Sequence, residues 1–159
     1  MIRITLFALS FVTFTASMAH AEFAENRDGW EVRVTTRTYA ELVEAVRSAV
    51  RAAPIAIVTQ ASASDGARMQ GLEIPGNRVF GLYRNDYARR MLAVSVAAGI
   101  EAPIRMYVTE NEDGSATLSY KTPSAVFAPY MGEGGPALGE LAQELDAIFL
   151  GIADTAANP

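Results

Sequence analysis

Two strand-like segments joined by a short turn place the strongest constraint on how this 159-residue chain can fold. The segments are Ile104–Glu110 and Ser115–Lys121, and the four residues between them, at 111–114, read Asn-Glu-Asp-Gly. Those residue types are the ones that hairpin turns require. We therefore predict an antiparallel hairpin. Its acidic loop is shorter than an EF-hand loop and lacks the distal Glu, so we predict a plain turn and no calcium site.

The first half of the domain reads as a strand, a helix and a second strand. Residues 30–34 alternate between apolar and polar, as a half-buried strand does. Thr38 and Glu41 have the spacing of a capping box, which predicts that a helix begins there. The continuous apolar run at 55–58 predicts a buried central strand. The predicted helix carries one apolar stripe, made of Tyr39, Leu42, Val43, Val46, Ala49 and Val50.

The middle of the chain predicts a short helix at 65–70 capped by Ser64, a strand at 79–83 and a longer helix at 87–98. Asn85 or Asp86 is expected to cap the longer helix. That helix is apolar on most sides, and its apolar residues cannot all face one core. Either it is deeply buried, or part of it meets a partner chain. In the second case we predict a homodimer with Met91 and Leu92 at the interface.

The C-terminal region is predicted to form one amphipathic helix. Residues 132–136, rich in glycine and ending in proline, are expected to break the chain before this helix begins. The last residues, 153–159, are expected to fray. The apolar face of the helix is formed by Leu138, Leu141, Leu145, Ile148, Phe149 and Ile152.

The N-terminus has the pattern of an export signal. Arg3 precedes an apolar run at 4–14, which is too short to span a bilayer, and small residues follow at the positions that a signal peptidase reads. We predict cleavage after Ala21, with Ala19 as the alternative site. The expected organisation is a signal peptide at 1–21 and a single globular domain at 22–159. The domain is then periplasmic or secreted, with no membrane insertion after cleavage.

The predicted mature domain contains no histidine and no cysteine. Cys is absent from the chain, and the only histidine, His20, lies within the predicted signal unless cleavage follows Ala19. This excludes imidazole-based triads, thiolate nucleophiles, zinc sites with His or Cys ligands, and His-ligated haem. We predict neither a cofactor nor a metal. The 18 acidic and 13 basic residues give a net charge of −5, which argues against nucleic acid as a partner.

Three stretches of the second half resemble a known family. Residues 99–108, the Asp-Gly pair at 113–114 and the Ser-Tyr-Lys-Thr-Pro run at 119–123 are similar in order and spacing to the family catalogued as domain of unknown function 302. The resemblance covers roughly residues 29–130. It implies an α+β fold in which an antiparallel sheet of about five strands is backed by helices, in a TATA-binding-protein-like arrangement that is often dimeric.

The chain departs from the family pattern at two places. Many members carry Gly-Asn-Pro after the middle strand, where this chain has Arg-Asn-Asp at 84–86 and keeps only Asn85. Many also carry Ile-Asp-His before the short helix, and residues 61–63 contain no histidine. Any chemistry that this imidazole supports in relatives is therefore not expected here. The departure favours binding or assembly over catalysis.

Two hypotheses about function remain. The first is a non-catalytic module that binds a small molecule or another protein, with Asn85, Arg105 and Tyr120 as the candidate binding residues. The alternative is an enzyme that uses carboxylates or arginines on a small anionic substrate. It requires Arg105 and Asn85 to converge with Glu101 or Asp86 in one cleft. An anion pocket around Asn85 would need Arg84, Arg89, Arg90 and Arg105 to meet, although separate surface positions are expected for them.

Overall fold

The computed structural model describes residues 27–158. They form one five-stranded antiparallel sheet in the order β1-β5-β4-β3-β2, with helices packed against it. The α+β class and the antiparallel sheet predicted from the sequence are confirmed. The strands are β1 (Trp30–Thr38), β2 (Ala56–Ala61), β3 (Asn77–Tyr83), β4 (Ile104–Glu110) and β5 (Ser115–Lys121). The helices are α1 (Tyr39–Ala52), α2 (Ala63–Met69), α3 (Asn85–Val94), α4 (Pro123–Phe127) and α5 (Met131–Ala157).

The predicted hairpin is confirmed as β4 and β5. The Asn111 N–H donates to the Ser115 carbonyl at 2.8 Å, which closes the turn. Gly114 has a φ of +82°, a conformation that L side chains rarely adopt, so glycine suits this position. Hydrogen bonds from the Ser115 side chain and backbone to the Asp113 carboxylate lower the pKa of Asp113. The Asp113 carboxylate is thus hydrogen-bonded within the turn itself.

The capping box at the start of α1 is confirmed. The Glu41 N–H donates to the Thr38 hydroxyl, and the Thr38 N–H donates back to the Glu41 carboxylate at 2.8 Å. These bonds satisfy backbone donors that have no partner within the helix. The apolar stripe then packs onto the sheet, with five of its members buried: Leu42, Val43, Val46, Ala49 and Val50.

The core lies between the sheet and its helices. The contributing strand residues are every second residue, as the two-residue period of a strand requires. On β4 they are Ile104, Met106 and Val108. They pack in one cluster with α1, α3, α4 and α5, so these helices cover one face of the sheet. The other strand residues in this cluster are Phe80, Leu82, Ala116, Leu118 and Tyr120.

The prediction of a buried central strand at 55–58 is wrong. β2 begins at Ala56 and lies at the edge of the sheet, where Val58 is 51% exposed. The register shifts between Ile57 and Thr59. A bulge or irregularity of this kind interrupts the regular edge that an exposed strand offers for further pairing. A short apolar run does not by itself distinguish an edge strand from a central one.

The middle helices begin and end earlier than predicted. α3 starts at Asn85 with Arg84 in the N-cap position, and no side chain caps it. It ends at Val94 because the backbone of Ser95 is extended. The Ser95 hydroxyl accepts from the Ala98 N–H at 3.2 Å, next to a separate 3-10 turn at Ala97–Glu101. Ser62, and not Ser64, caps α2.

The C-terminal helix is longer than predicted at both ends. α5 runs from Met131 to Ala157, and its path is interrupted at Gly135, whose φ of 54° and ψ of −151° are not helical. The expected break is therefore confined to one residue. The prediction that the last residues fray is wrong for the part of this end that is described, because Ala153 and Ala156 are fully buried.

The predicted signal peptide lies outside the described residues. Within residues 27–158, no helix combines the length and the apolar character that a membrane span requires.

Candidate functional site

The side of the sheet that faces away from the core helices is called the open face here. Its side chains alternate with those of the core along every strand. The open face carries hydroxyl, aromatic and basic groups as well as valines, so its chemistry differs from that of the core. Its members, assigned from strand alternation and pairing, are Trp30, Val32, Val34, Thr59, Ala61, Asn77, Val79, Gly81, Arg105, Tyr107, Thr109, Thr117, Ser119 and Lys121.

One row of directly opposed residues crosses the open face. Trp30 on β1 is opposite Lys121 on β5, and Arg105 on β4 is opposite Gly81 on β3, which is in turn opposite Thr59 on β2. The β4–β5 register continues to place Arg105 beside Lys121, because their neighbours Met106 and Tyr120 are paired. The row therefore brings two cations together next to the indole ring.

A cavity of about 340 Å³ lies on this row, and we call it the main cavity. It is lined by Trp30, Arg105, Tyr107, Ser119 and Lys121, with Val79, Glu101 and Val126 among the remaining lining residues. Small-molecule sites are typically about 300–1,000 Å³. The main cavity is therefore large enough for a small organic molecule.

The two cations of the main cavity make no ion pair with any described residue. Arg105 and Lys121 are both exposed, and the Lys121 ammonium lies 5.7 Å from the centre of the Trp30 ring. An unpaired cation in a cavity is available to an anion. Six other arginines are by contrast each paired with an acid, namely Arg33, Arg47, Arg68, Arg78, Arg84 and Arg90.

Ser119 adds a hydroxyl to the floor of the main cavity. The residue is only 1% exposed, and its Oγ has no hydrogen-bond partner among the described residues. Buried hydroxyls are nearly always hydrogen-bonded, and leaving one unpaired costs about 1–3 kcal/mol. A bound molecule with an acceptor or donor at this point would satisfy the group.

Glu101 contributes the one acidic side chain of the main cavity, and Tyr130 holds it. The Tyr130 hydroxyl donates to the Glu101 carboxylate at 2.8 Å. This hydrogen bond is the main reason that the pKa of Tyr130 is raised. The carboxylate is therefore fixed by the structure and is not paired with Arg105.

A second cavity of about 300 Å³, the side cavity, adjoins the main cavity. The two share Val79, Glu101 and Arg105 in their walls. Beyond this shared wall the side cavity is lined mainly by small or apolar residues, together with Gln60: Thr59, Ala61, Ile100, Ala102 and Pro103. Arg105 thus lies in the wall that the two cavities share.

Of the three candidate binding residues, only Arg105 presents its side chain to these cavities. Tyr120 borders the main cavity, but its ring lies on the helix side, 5.6 Å from Phe149, and burial raises the pKa of its hydroxyl. Asn85 is exposed at the start of α3 and lines neither cavity. Of the acids that the enzyme alternative requires, Glu101 lines both cavities together with Arg105. Asp86 instead pairs with Arg84 at 2.7 Å.

The arginines that flank Asn85 form a separate group. Arg84 and Arg90 lie 4.7 and 5.1 Å from the centre of the Tyr87 ring, and Arg90 pairs with Glu144. Neither lines the main or the side cavity. Arg84 and Arg90 are thus engaged locally, and none of Arg84, Arg89 and Arg90 lines a cavity with Arg105.

The two candidate interface residues differ in exposure. Met91 is 3% exposed and belongs to the core of the single chain, whereas Leu92 is 45% exposed. Leu92 is in α3 and lies close to Gly99 of the turn that follows. Val96 and Ile100, in and beside that turn, are also exposed. Within residues 27–158, no three acidic, His or Cys side chains group as metal ligands.

Lys121, Ser119 and Trp30 were not among the binding residues predicted from the sequence. A signal for two of them is nevertheless present in the strand pattern. Alternation along Ser115–Lys121 puts Ser119 and Lys121 on one face and Tyr120 on the other. The contribution of Trp30 depends on the pairing of β1 with β5, which joins residues far apart in the chain.

The sequence matches the family described as Domain of unknown function DUF302 over residues 30–155. The chain belongs to this family. The match includes the region where the resemblance was noted and extends through most of α5. No curated protein matches the chain.

A solved structure supports the fold of this DUF302 member. The chain is similar to the crystal structure of the uncharacterized conserved protein DUF302 from Bacillus stearothermophilus, with a TM-score of 0.71 and 15% sequence identity. The similarity covers 83% of this chain and 100% of the other. At this identity the likeness supports the shared fold alone.

Proposed function

We propose that this DUF302 domain is a non-catalytic module that binds a small carboxylate-bearing molecule in the main cavity. The observation that carries the proposal is the pair of cations, Arg105 and Lys121, which line one cavity and make no ion pair with the described residues. The chain has more acidic than basic residues, with 18 against 13. Two adjacent unpaired cations in such a chain form a local site for an anion.

The other groups of the cavity fit the same kind of ligand. The unpaired hydroxyl of Ser119 can donate to a carboxylate oxygen, and the Trp30 ring offers an apolar surface beside it. Hydrogen bonds to charged groups contribute about 1.5–3 kcal/mol each. Loss of the Arg105 contact is therefore expected to weaken binding by about tenfold or more.

A titration with butanoate, followed by two-dimensional NMR of the isotope-labelled protein, tests the proposal. Saturable shifts are expected at the amides of Arg105, Ser119 and Lys121 and at the Trp30 indole. Arg105→Gln should weaken binding at least tenfold. Arg89→Gln is the matched control, because Arg89 is exposed and lines neither cavity. Shifts confined to other surfaces, or equal binding by Arg105→Gln, would overturn the proposal.

We further propose that the protein forms a homodimer through the C-terminal end of α3, as far as Val96. Leu92 and Val96 are exposed apolar residues of this region, and contiguous apolar surface is typical of interaction sites. Because Met91 is buried in the core, a charge there would test folding and not assembly. Light scattering should give a dimeric mass for the wild type and a monomeric mass for Leu92→Glu. A monomeric wild type would rule the interface out.

Export remains part of the proposal. The pattern of residues 1–21 supports removal of a signal peptide and release into the periplasm or medium. Mass spectrometry of the protein purified from a periplasmic fraction should give the mass of a chain that begins at Glu22. A mass that begins at His20 would indicate cleavage after Ala19. Recovery of the full-length chain from the cytoplasmic fraction alone would contradict export.

A further inference from the structure

The charge of the cavity walls limits the charge of the ligand. Arg105 and Lys121 contribute two positive charges, and the carboxylate of Glu101, held by Tyr130, contributes one negative charge to the same cavity. The net charge of these three side chains is therefore +1. A monoanion neutralises it, whereas a dianion such as phosphate would leave a negative charge beside Glu101.

The side cavity indicates where the rest of the ligand lies. Arg105 and Val79 separate it from the rest of the main cavity, and Ile100 and Pro103 form part of its wall. It contains no cation other than Arg105. A second anionic group placed there would find no further cation to pair with, whereas an apolar group would bury surface against Ile100 and Pro103.

The length of the row indicates the shape of the ligand. From Lys121 on β5 to Thr59 on β2, the row crosses β4 and β3, and neighbouring strands lie about 4.8 Å apart. Three such spacings amount to about 14 Å. A molecule that occupies both cavities is therefore elongated.

We infer that the ligand is an elongated amphipathic monocarboxylate, with its carboxylate between Arg105 and Lys121 and its apolar chain in the side cavity. This inference rests on the proposed anion site and adds the chemistry of the remainder of the ligand. Ile100 is 80% exposed, so a bound chain would cover an apolar side chain that otherwise faces water. The site then selects for chain length as well as for charge.

A series of saturated monocarboxylates tests the inference. Butanoate, hexanoate, octanoate and decanoate are titrated into the protein below their micelle concentrations, and dissociation constants are measured by NMR or calorimetry. Each CH₂ that enters the side cavity should strengthen binding about fourfold, which corresponds to about 0.8 kcal/mol. The gain should stop once the chain fills the cavity.

Two variants locate the effect. Ile100→Ser should weaken octanoate more than butanoate, because only the longer chain reaches the side cavity. Leu72→Ser is the matched control, since Leu72 is another exposed apolar residue but lines neither cavity and lies outside the proposed dimer interface. Octanedioate should bind at least tenfold more weakly than octanoate because its second carboxylate would find no further cation in the side cavity.

The outcomes separate the two proposals. If butanoate binds through Arg105 but longer chains gain nothing, the amphipathic ligand is ruled out and the anion site stands. If octanedioate or phosphate binds better than octanoate, the monoanion preference is wrong. If no monocarboxylate binds at the main cavity at all, both the anion site and the inference built on it are overturned.

Discussion

Arg90 of α3 and Glu144 of α5 form a bidentate ion pair, with both nitrogen–oxygen distances at 2.7 Å. The pair joins the two helices that close one side of the core. The hydrogen bond from Arg90, with a smaller contribution from Tyr87, lowers the pKa of Glu144 from 4.5 to about 2. Ionised Glu144 therefore stabilises the folded state above pH 4.5, and this contribution is lost as the pH falls toward 2.

Glu144→Gln should lower the melting temperature at pH 7 and should have less effect as the pH falls. The difference from the wild type is expected to close between pH 4.5 and about 2, where wild-type Glu144 becomes protonated. Thermal unfolding across this range measures it. Glu140→Gln is the control, because Glu140 is exposed on the same helix and makes no ion pair with the described residues. A difference that does not change with pH would contradict the electrostatic account.

Ile152→Ala should destabilise the protein by about 2–5 kcal/mol, because Ile152 is buried in the core near the C-terminal end of α5. Urea unfolding measures the change. Leu150→Ala, two residues earlier on the exposed side of the same helix, should cost far less. Equal effects of the two substitutions would mean that the end of α5 does not pack as described.

Gly81→Ala should destabilise the sheet by about 1–3 kcal/mol. A Cβ at this position would clash with the Thr59 hydroxyl and would lie 2.8 Å from Pro103 Cγ. Gly66→Ala in α2 is the opposite case, because nothing lies within 4 Å of its Cβ and alanine favours the helix. Chemical denaturation should show a loss for the first variant and no loss for the second. A neutral Gly81→Ala would show that β2 and Pro103 can move apart.

Thr38→Ala should cost about 1 kcal/mol by removing the N-cap of α1. The Thr38 hydroxyl accepts from the Glu41 N–H, and alanine leaves that donor without its partner. Thr38→Ser keeps the hydroxyl and should retain most of the stability. Unfolding curves for the two variants test the cap, and a serine variant as unstable as the alanine variant would argue against it.

The local parts of the fold were predictable because their signals lie close together in the chain. The hairpin has its turn residues between its strands, and the cap of α1 needs only Thr38 and Glu41. The edge position of β2 and the extent of α5 were not predictable in the same way. They depend on which strand pairs with which, and on burial of Ala153 and Ala156, two small residues that carry little hydrophobic signal.

The candidate site was predictable only in part for the same reason. Arg105 was predicted as a binding residue for its charge, and it does line the cavities. Tyr120 lies in a similar stretch, yet strand alternation sends its ring to the core and gives the open face to Lys121. Trp30 reaches the main cavity only through the pairing of β1 with β5, across most of the length of the domain.

Fluorescence of Trp30 tests the central claim most directly, because it is the only tryptophan in the chain and it lines the main cavity. Octanoate should change its emission saturably in the wild type and in Arg89→Gln. Arg105→Gln should need at least tenfold more octanoate for the same change. If emission does not respond saturably to octanoate, or if Arg105→Gln titrates like the wild type, the main cavity is not the carboxylate site proposed for it.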